Sequence, residues 1–164
     1  MADNSIQGYW SVFGGFWGLL RSTYFWLALV VTIISSSLWT KYENGDPIWV
    51  ESAIDIAPSL LGFALGGMAI MLSFSSGRFL SAVRQSGKPD SFFMKMMASF
   101  FHFSAVLTAS LVIALISKSN SFIAMSFVGV FLLIYGVLLV VSTAASVWHT
   151  ARIFNAAVDM PPES

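Results

Sequence analysis

The chain has 164 residues, of which 57% are hydrophobic and only 10% charged, with eight basic and eight acidic residues in balance. A soluble domain carries about 25% charged residues, so this chain has too little polar surface to cover a water-facing exterior, and the excess apolar surface belongs against lipid. The same composition excludes disorder, the absence of cysteine excludes disulfides and thiolate metal sites, and zero net charge gives no basis for a nucleic-acid partner.

Met1 to Gln7 is polar. Gly8 to Leu20 is aromatic, glycine-rich and uncharged, with Trp10, Phe13, Trp17 and Leu20 at helical spacing. It reads as an amphipathic segment in the membrane interface, where aromatic rings with polar edges prefer to sit. No basic residue precedes Arg21, which argues against a cleaved leader.

The first span is expected over residues 22–40, since about 20 mainly apolar residues cross a bilayer. Lys41 to Ser52 breaks it, and Asn44-Gly45-Asp46-Pro47 is a turn signal. A second helix is expected to start near Ser52 or Asp55, either of which could cap a first turn holding Pro58, with its span over 56–74. Ser75 to Ser91 reads as a polar loop. A third span is expected over 93–117, a tight turn at Ser117 to Ser121, and a fourth span over 122–147. No breaker follows until Pro161, so that helix is expected to continue over 148–158 into the cytoplasm. The sum is one membrane domain, an all-α integral membrane protein with four transmembrane helices and an N-terminal interfacial segment.

Orientation follows from the basic residues, which favour the cytoplasmic side. Four spans with an inside N-terminus put Arg21, Arg78, Arg84, Lys88, Lys95 and Arg152 inside and only Lys41 and Lys118 outside. Both termini are therefore expected in the cytoplasm of a cell with this chain in its inner membrane. The first outer loop also carries Glu43, Asp46, Glu51 and Asp55.

Three features stand out as candidate sites. In helix two, Ser59, Gly62, Gly66, Ala69 and Ser73 recur at alternating three- and four-residue steps and form one stripe. Small residues let helices approach closely in lipid, so the stripe is expected to be a packing seam, either within one chain or between copies in a homo-oligomer. Gly129, Gly136 and Thr143 share a face of the last helix in the same way. His102 is the ionisable residue deepest in a span, seven residues or about 10 Å beyond Lys95. It is a functional candidate by position, but the favoured reading is a structural, neutral imidazole that needs only hydrogen bonds, for example to Ser99, Thr108 or another helix. Arg78, Arg84, Lys88 and Lys95 gather on the inner loop with only Asp90 opposing them. They suit anionic lipid headgroups or an acidic cytosolic protein. His149, Arg152 and Trp148 mark the headgroup boundary of the last helix.

No nucleophile elbow, phosphate loop or HExxH occurs, and two histidines in separate spans give too few metal ligands. No catalytic residue, metal or cofactor is expected.

The run from Pro58 to Phe74 (PSLLGFALGGMAIMLSF), followed after a basic loop by Phe100 to Ile116 (FFHFSAVLTASLVIALI), resembles small four-span membrane proteins of bacterial antiphage defence operons, nearest the membrane subunit of the Kiwa system. The resemblance covers helices two and three. It implies a membrane sensor that oligomerises and works with a cytosolic DNA-binding effector, and it implies no catalytic residue here. The expected role is therefore a non-catalytic membrane subunit that senses or scaffolds and holds a cytosolic partner. The alternative is a small channel or pore-forming effector, supported by the glycine seam and by the serines at 35–37, 73, 75 and 76. A proton-coupled transporter rests on His102 alone.

Overall fold

The computed structural model describes residues 15–43, 45–73, 91–120 and 122–158. Among the described residues, six helices and one small hairpin follow in order: α1 (Gly15–Arg21), α2 (Thr23–Ile34), α3 (Ser36–Thr40), β1 (Tyr42–Glu43), β2 (Asp46–Pro47), α4 (Ile48–Ser73), α5 (Phe92–Ser117) and α6 (Ile123–Val158). Three stretches of the described residues are long and apolar enough to cross a membrane: Ile48–Ser73, Phe92–Ser117 and Ile123–His149. Large apolar side chains lie on the outside of this bundle, among them Ile34, Phe63, Leu65 and Val141. In water that would be costly, and in lipid it is the expected surface.

The centre of the bundle is α5. Among the described residues it contributes ten buried positions, against five from α4 and two from α2. It packs against α4 on one side and α6 on the other, and α2 lies along α6. One core cluster gathers Ala57, Ala64, Phe100, Phe103, Leu107 and Tyr135. A second, toward the hairpin end, gathers Trp49, Val50, Ala53, Ala114, Val130 and Leu133.

Three glycines make the close approaches. A Cβ at Gly67 would lie 2.7 Å from Phe100 Cε1, and one at Gly136 would lie 2.5 Å from Leu107 Cδ2. At Gly129 the Trp49 indole occupies the space where a Cβ would go. The Gly129 carbonyl also accepts a hydrogen bond from the buried Ser110 hydroxyl at 3.1 Å, which ties α5 to α6. With Thr143 also buried, the small-residue face of the last helix points inward.

The first expected span is not one continuous long helix. It divides into α2 and α3 at Ser35. Ser35 to Ser37 is a run of residues whose hydroxyls compete for backbone groups and weaken a helix interior. The Trp39 indole N–H donates to the Thr32 carbonyl at 2.9 Å, which occupies one of the acceptors freed at the break.

The second helix starts at Ile48, well before Ser52 or Asp55, so Pro58 sits inside α4 rather than in its first turn. Tertiary burial explains the earlier start: Trp49, Val50 and Ala53 are fully enclosed against α5 and α6. Burying these three outweighs the backbone hydrogen bond that Pro58 cannot donate. The expected turn before α4 is a two-stranded hairpin pairing Tyr42 with Pro47 and Glu43 with Asp46. Gly45 takes φ +93°, a left-handed conformation that suits glycine.

Of the expected interfacial segment, residues 8–14 lie outside the described residues. The remainder forms α1, where Trp17 is 75% exposed. The turn after α5 is formed by Lys118 and Ser119 N–H groups donating to Ala114 and Ile116 carbonyls. α6 is unbroken for 36 residues and passes through the expected boundary at residue 147 to Val158.

Candidate functional site

The stripe on α4 faces away from the core. Ser59, Gly62, Gly66, Ala69 and Ser73 are all exposed, whereas Ala57 and Ala64 on the opposite face are fully buried. Among the described residues, a Cβ added at Gly62 or Gly66 would meet nothing within 4 Å. Packing against α5 runs instead through Gly67, next to the stripe, and no described residue occupies the GxxxG pair. The Ser73 hydroxyl is turned back onto its own helix, donating to the Ile70 carbonyl at 2.7 Å.

His102 is buried on α5, and its Nε2 lies 3.1 Å from the Tyr135 hydroxyl on α6. The two rings meet edge-on, with centroids 5.8 Å apart. Tyr135 stacks in parallel on Phe131 and meets Phe25 of α2 edge-on at 6.0 Å. The result is a polar and aromatic cluster joining α2, α5 and α6. Sequence spacing does not reveal it, because its members lie far apart along the chain.

 Specifically, Tyr135 follows His102 by 33 positions, and Phe25 precedes it by 77 (102 − 25). Only the folded bundle brings the three together.

Of the inner-loop residues, Arg78, Arg84 and Lys88 lie outside the described residues. Lys95 is exposed in the first turn of α5. That turn is capped by Ser91, whose side chain accepts from the Met94 N–H at 3.4 Å. Phe92 meets the His149 ring at 5.3 Å, so the start of α5 and the Arg152 end of α6 share one end of the bundle.

The opposite end is acidic. Glu43, Asp46, Glu51 and Asp55 line an open cleft of about 610 Å³ together with Lys118. The residues were legible as an acidic loop, but their gathering around one cleft depends on the hairpin folding back against α4. Among the described residues, no three acidic or histidine side chains come together closely enough to hold a metal ion.

No family model, curated protein or solved structure matches the chain. The functional reading therefore rests on the chemistry of these surfaces.

Proposed function

We propose that the chain is a non-catalytic, multi-pass subunit of the cell inner membrane that assembles as a homo-oligomer through α4 and holds a cytosolic protein at its inner face, in antiphage defence. The observation that carries the reading is the outward stripe on α4, where Gly62 and Gly66 have open space beside them. Glycine in a helix costs about 1 kcal/mol relative to alanine. A lipid-facing position gains nothing in return, whereas a helix from a second copy gains a close approach. The defence role comes from the resemblance of helices two and three to Kiwa-type membrane subunits.

In this reading α2 and α3 together form the first of four spans, α1 continues the interfacial segment, and both termini are cytoplasmic. The 18 residues from Thr23 to Thr40 cover about 27 Å at 1.5 Å per residue, close to the roughly 30 Å of a hydrocarbon core. Reporter fusions after Ser91 and after Ser164 should both signal the cytoplasm, and one at Gly45 the outside. Opposite signals from Ser91 and Ser164 would remove the four-span arrangement.

The cytosolic partner is tested on the inner loop. Arg84→Glu combined with Lys88→Glu is expected to leave insertion and oligomer size unchanged, since Arg78 and Lys95 still flank the spans. It should release the partner in a pull-down from native membranes, because charges at the rim of an interface govern association and its salt dependence. If the wild-type protein conducts ions alone in liposomes and retrieves no cytosolic protein from its host, the pore-forming reading replaces this one.

A further inference from the structure

His102 is held by Tyr135 in a cluster that reaches a third helix. Tyr135 is 2% exposed, and its ring forms part of the surface on which α2 rests. α2 has a small footprint: Ala28 and Thr32 are its buried residues. Its aromatic anchor is Phe25, edge-on to both Phe131 at 5.2 Å and Tyr135 at 6.0 Å. A helix with few buried contacts is the element of a bundle that separates most readily.

We propose that His102 is a positioning residue for the docking of α2: by holding the Tyr135 hydroxyl at 3.1 Å, it fixes the ring that Phe25 packs against. The chemistry is compatible with either neutral tautomer. A phenol has one proton and two lone pairs, so it can donate to Nε2 or accept from it. If the Tyr135 hydroxyl loses its anchor on α5, the ring is no longer held in place and α2 loses the surface that Phe25 packs against. His102 thus acts on a helix to which its influence passes through Tyr135.

The absence of cysteine from the chain allows the docking to be read with pairs of spin labels on the full-length protein in nanodiscs. Labels at Thr23→Cys and Ile123→Cys, both exposed, report α2 against α6. Labels at Met94→Cys and Ile123→Cys report α5 against α6 as a control. Tyr135→Phe removes only the hydroxyl, and His102→Ala removes its partner. Each is expected to shift the ratio of docked to undocked α2 about tenfold, the scale of a lost buried hydrogen bond, and so to broaden the first distance toward longer values. The control distance should not change. His102→Gln, which can still donate and accept, should restore the wild-type distribution.

The proposal is overturned if neither variant alters the first distance. It is equally overturned if the control distance changes as much, since the pair would then hold α5 to α6 instead. An effect of His102→Ala without any effect of Tyr135→Phe would also defeat it, because His102 would not be acting through the phenol.

Discussion

Gly66→Leu is expected to abolish assembly and leave the chain folded. No described residue lies near a Cβ at this position, so a leucine there meets no described neighbour in its own bundle. In lipid a leucine is at least as comfortable on a helix as a glycine, and helix propensity alone favours it by somewhat under 1 kcal/mol, about the cost of glycine relative to alanine. A purely lipid-facing stripe would therefore make the substitution neutral or mildly stabilising. A seam between copies gives the opposite sign, because the added side chain holds the two backbones apart and removes the contacts that drive association in lipid. Sizing by light scattering in mild detergent reads the assembly, and circular dichroism reads the fold. Leu72, 55% exposed and off the stripe, supplies the control: Leu72→Ala should not change the size. An oligomer that survives Gly66→Leu would place the seam elsewhere.

Gly129→Leu is expected to do the reverse and destroy the fold itself. The Trp49 indole occupies the place of a Cβ at this glycine, and Trp49 is fully buried. Two large side chains cannot share that space without moving α4 away from α6, which would also disturb the Ser110 hydrogen bond to the Gly129 carbonyl. Overpacking of a core costs typically up to about 3 kcal/mol, a large share of the stability of a small domain. The expected observation is loss of the folded protein in detergent, by melting temperature or by yield. Gly129→Ala should be partly destabilising for the same reason. Combining it with Trp49→Leu should recover part of the loss, since contacting residues couple in a double-mutant cycle. If Gly129→Ala destabilises equally in both backgrounds, the indole is not the cause.

The two glycine experiments also mark what the sequence can and cannot disclose. The apolar runs announce α4, α5 and α6, because lipid requires length and hydrophobicity of any spanning helix. The turn at Gly45 and the stop after Ser117 are announced by residue types suited to them. Which face of α4 meets the core is not announced. Its inward face carries Ala53, Ala57, Ala64 and Gly67, its outward face Ser59, Gly62, Gly66 and Ala69, and both are small. In water the inward face would be the apolar one, but a helix in lipid is apolar all round and loses that signal.

The same reasoning accounts for the early start of α4 and the break at Ser35. The first depends on what Trp49 packs against, and the second on which carbonyl Trp39 reaches. The first is a tertiary fact, whereas the second is a local contact only seven residues along the chain. The histidine was visible as an anomaly at once, whereas its tyrosine became visible only in the fold. The acidic cleft was legible as charge but not as shape.

The length of α6 has a mechanical consequence. Its 36 residues extend about 54 Å at 1.5 Å per residue, against roughly 30 Å of hydrocarbon. In a bilayer, about 24 Å of continuous helix is left over, with no joint in it to absorb a rotation. Such a segment is a lever. A change of about 10° in the tilt of the embedded part, small within the range that helices adopt in membranes, would sweep the far end sideways by about 4 Å. That is enough to break a hydrogen bond made at its tip, so a slight reorientation among the spans would be felt beyond the headgroups as a displacement of molecular size.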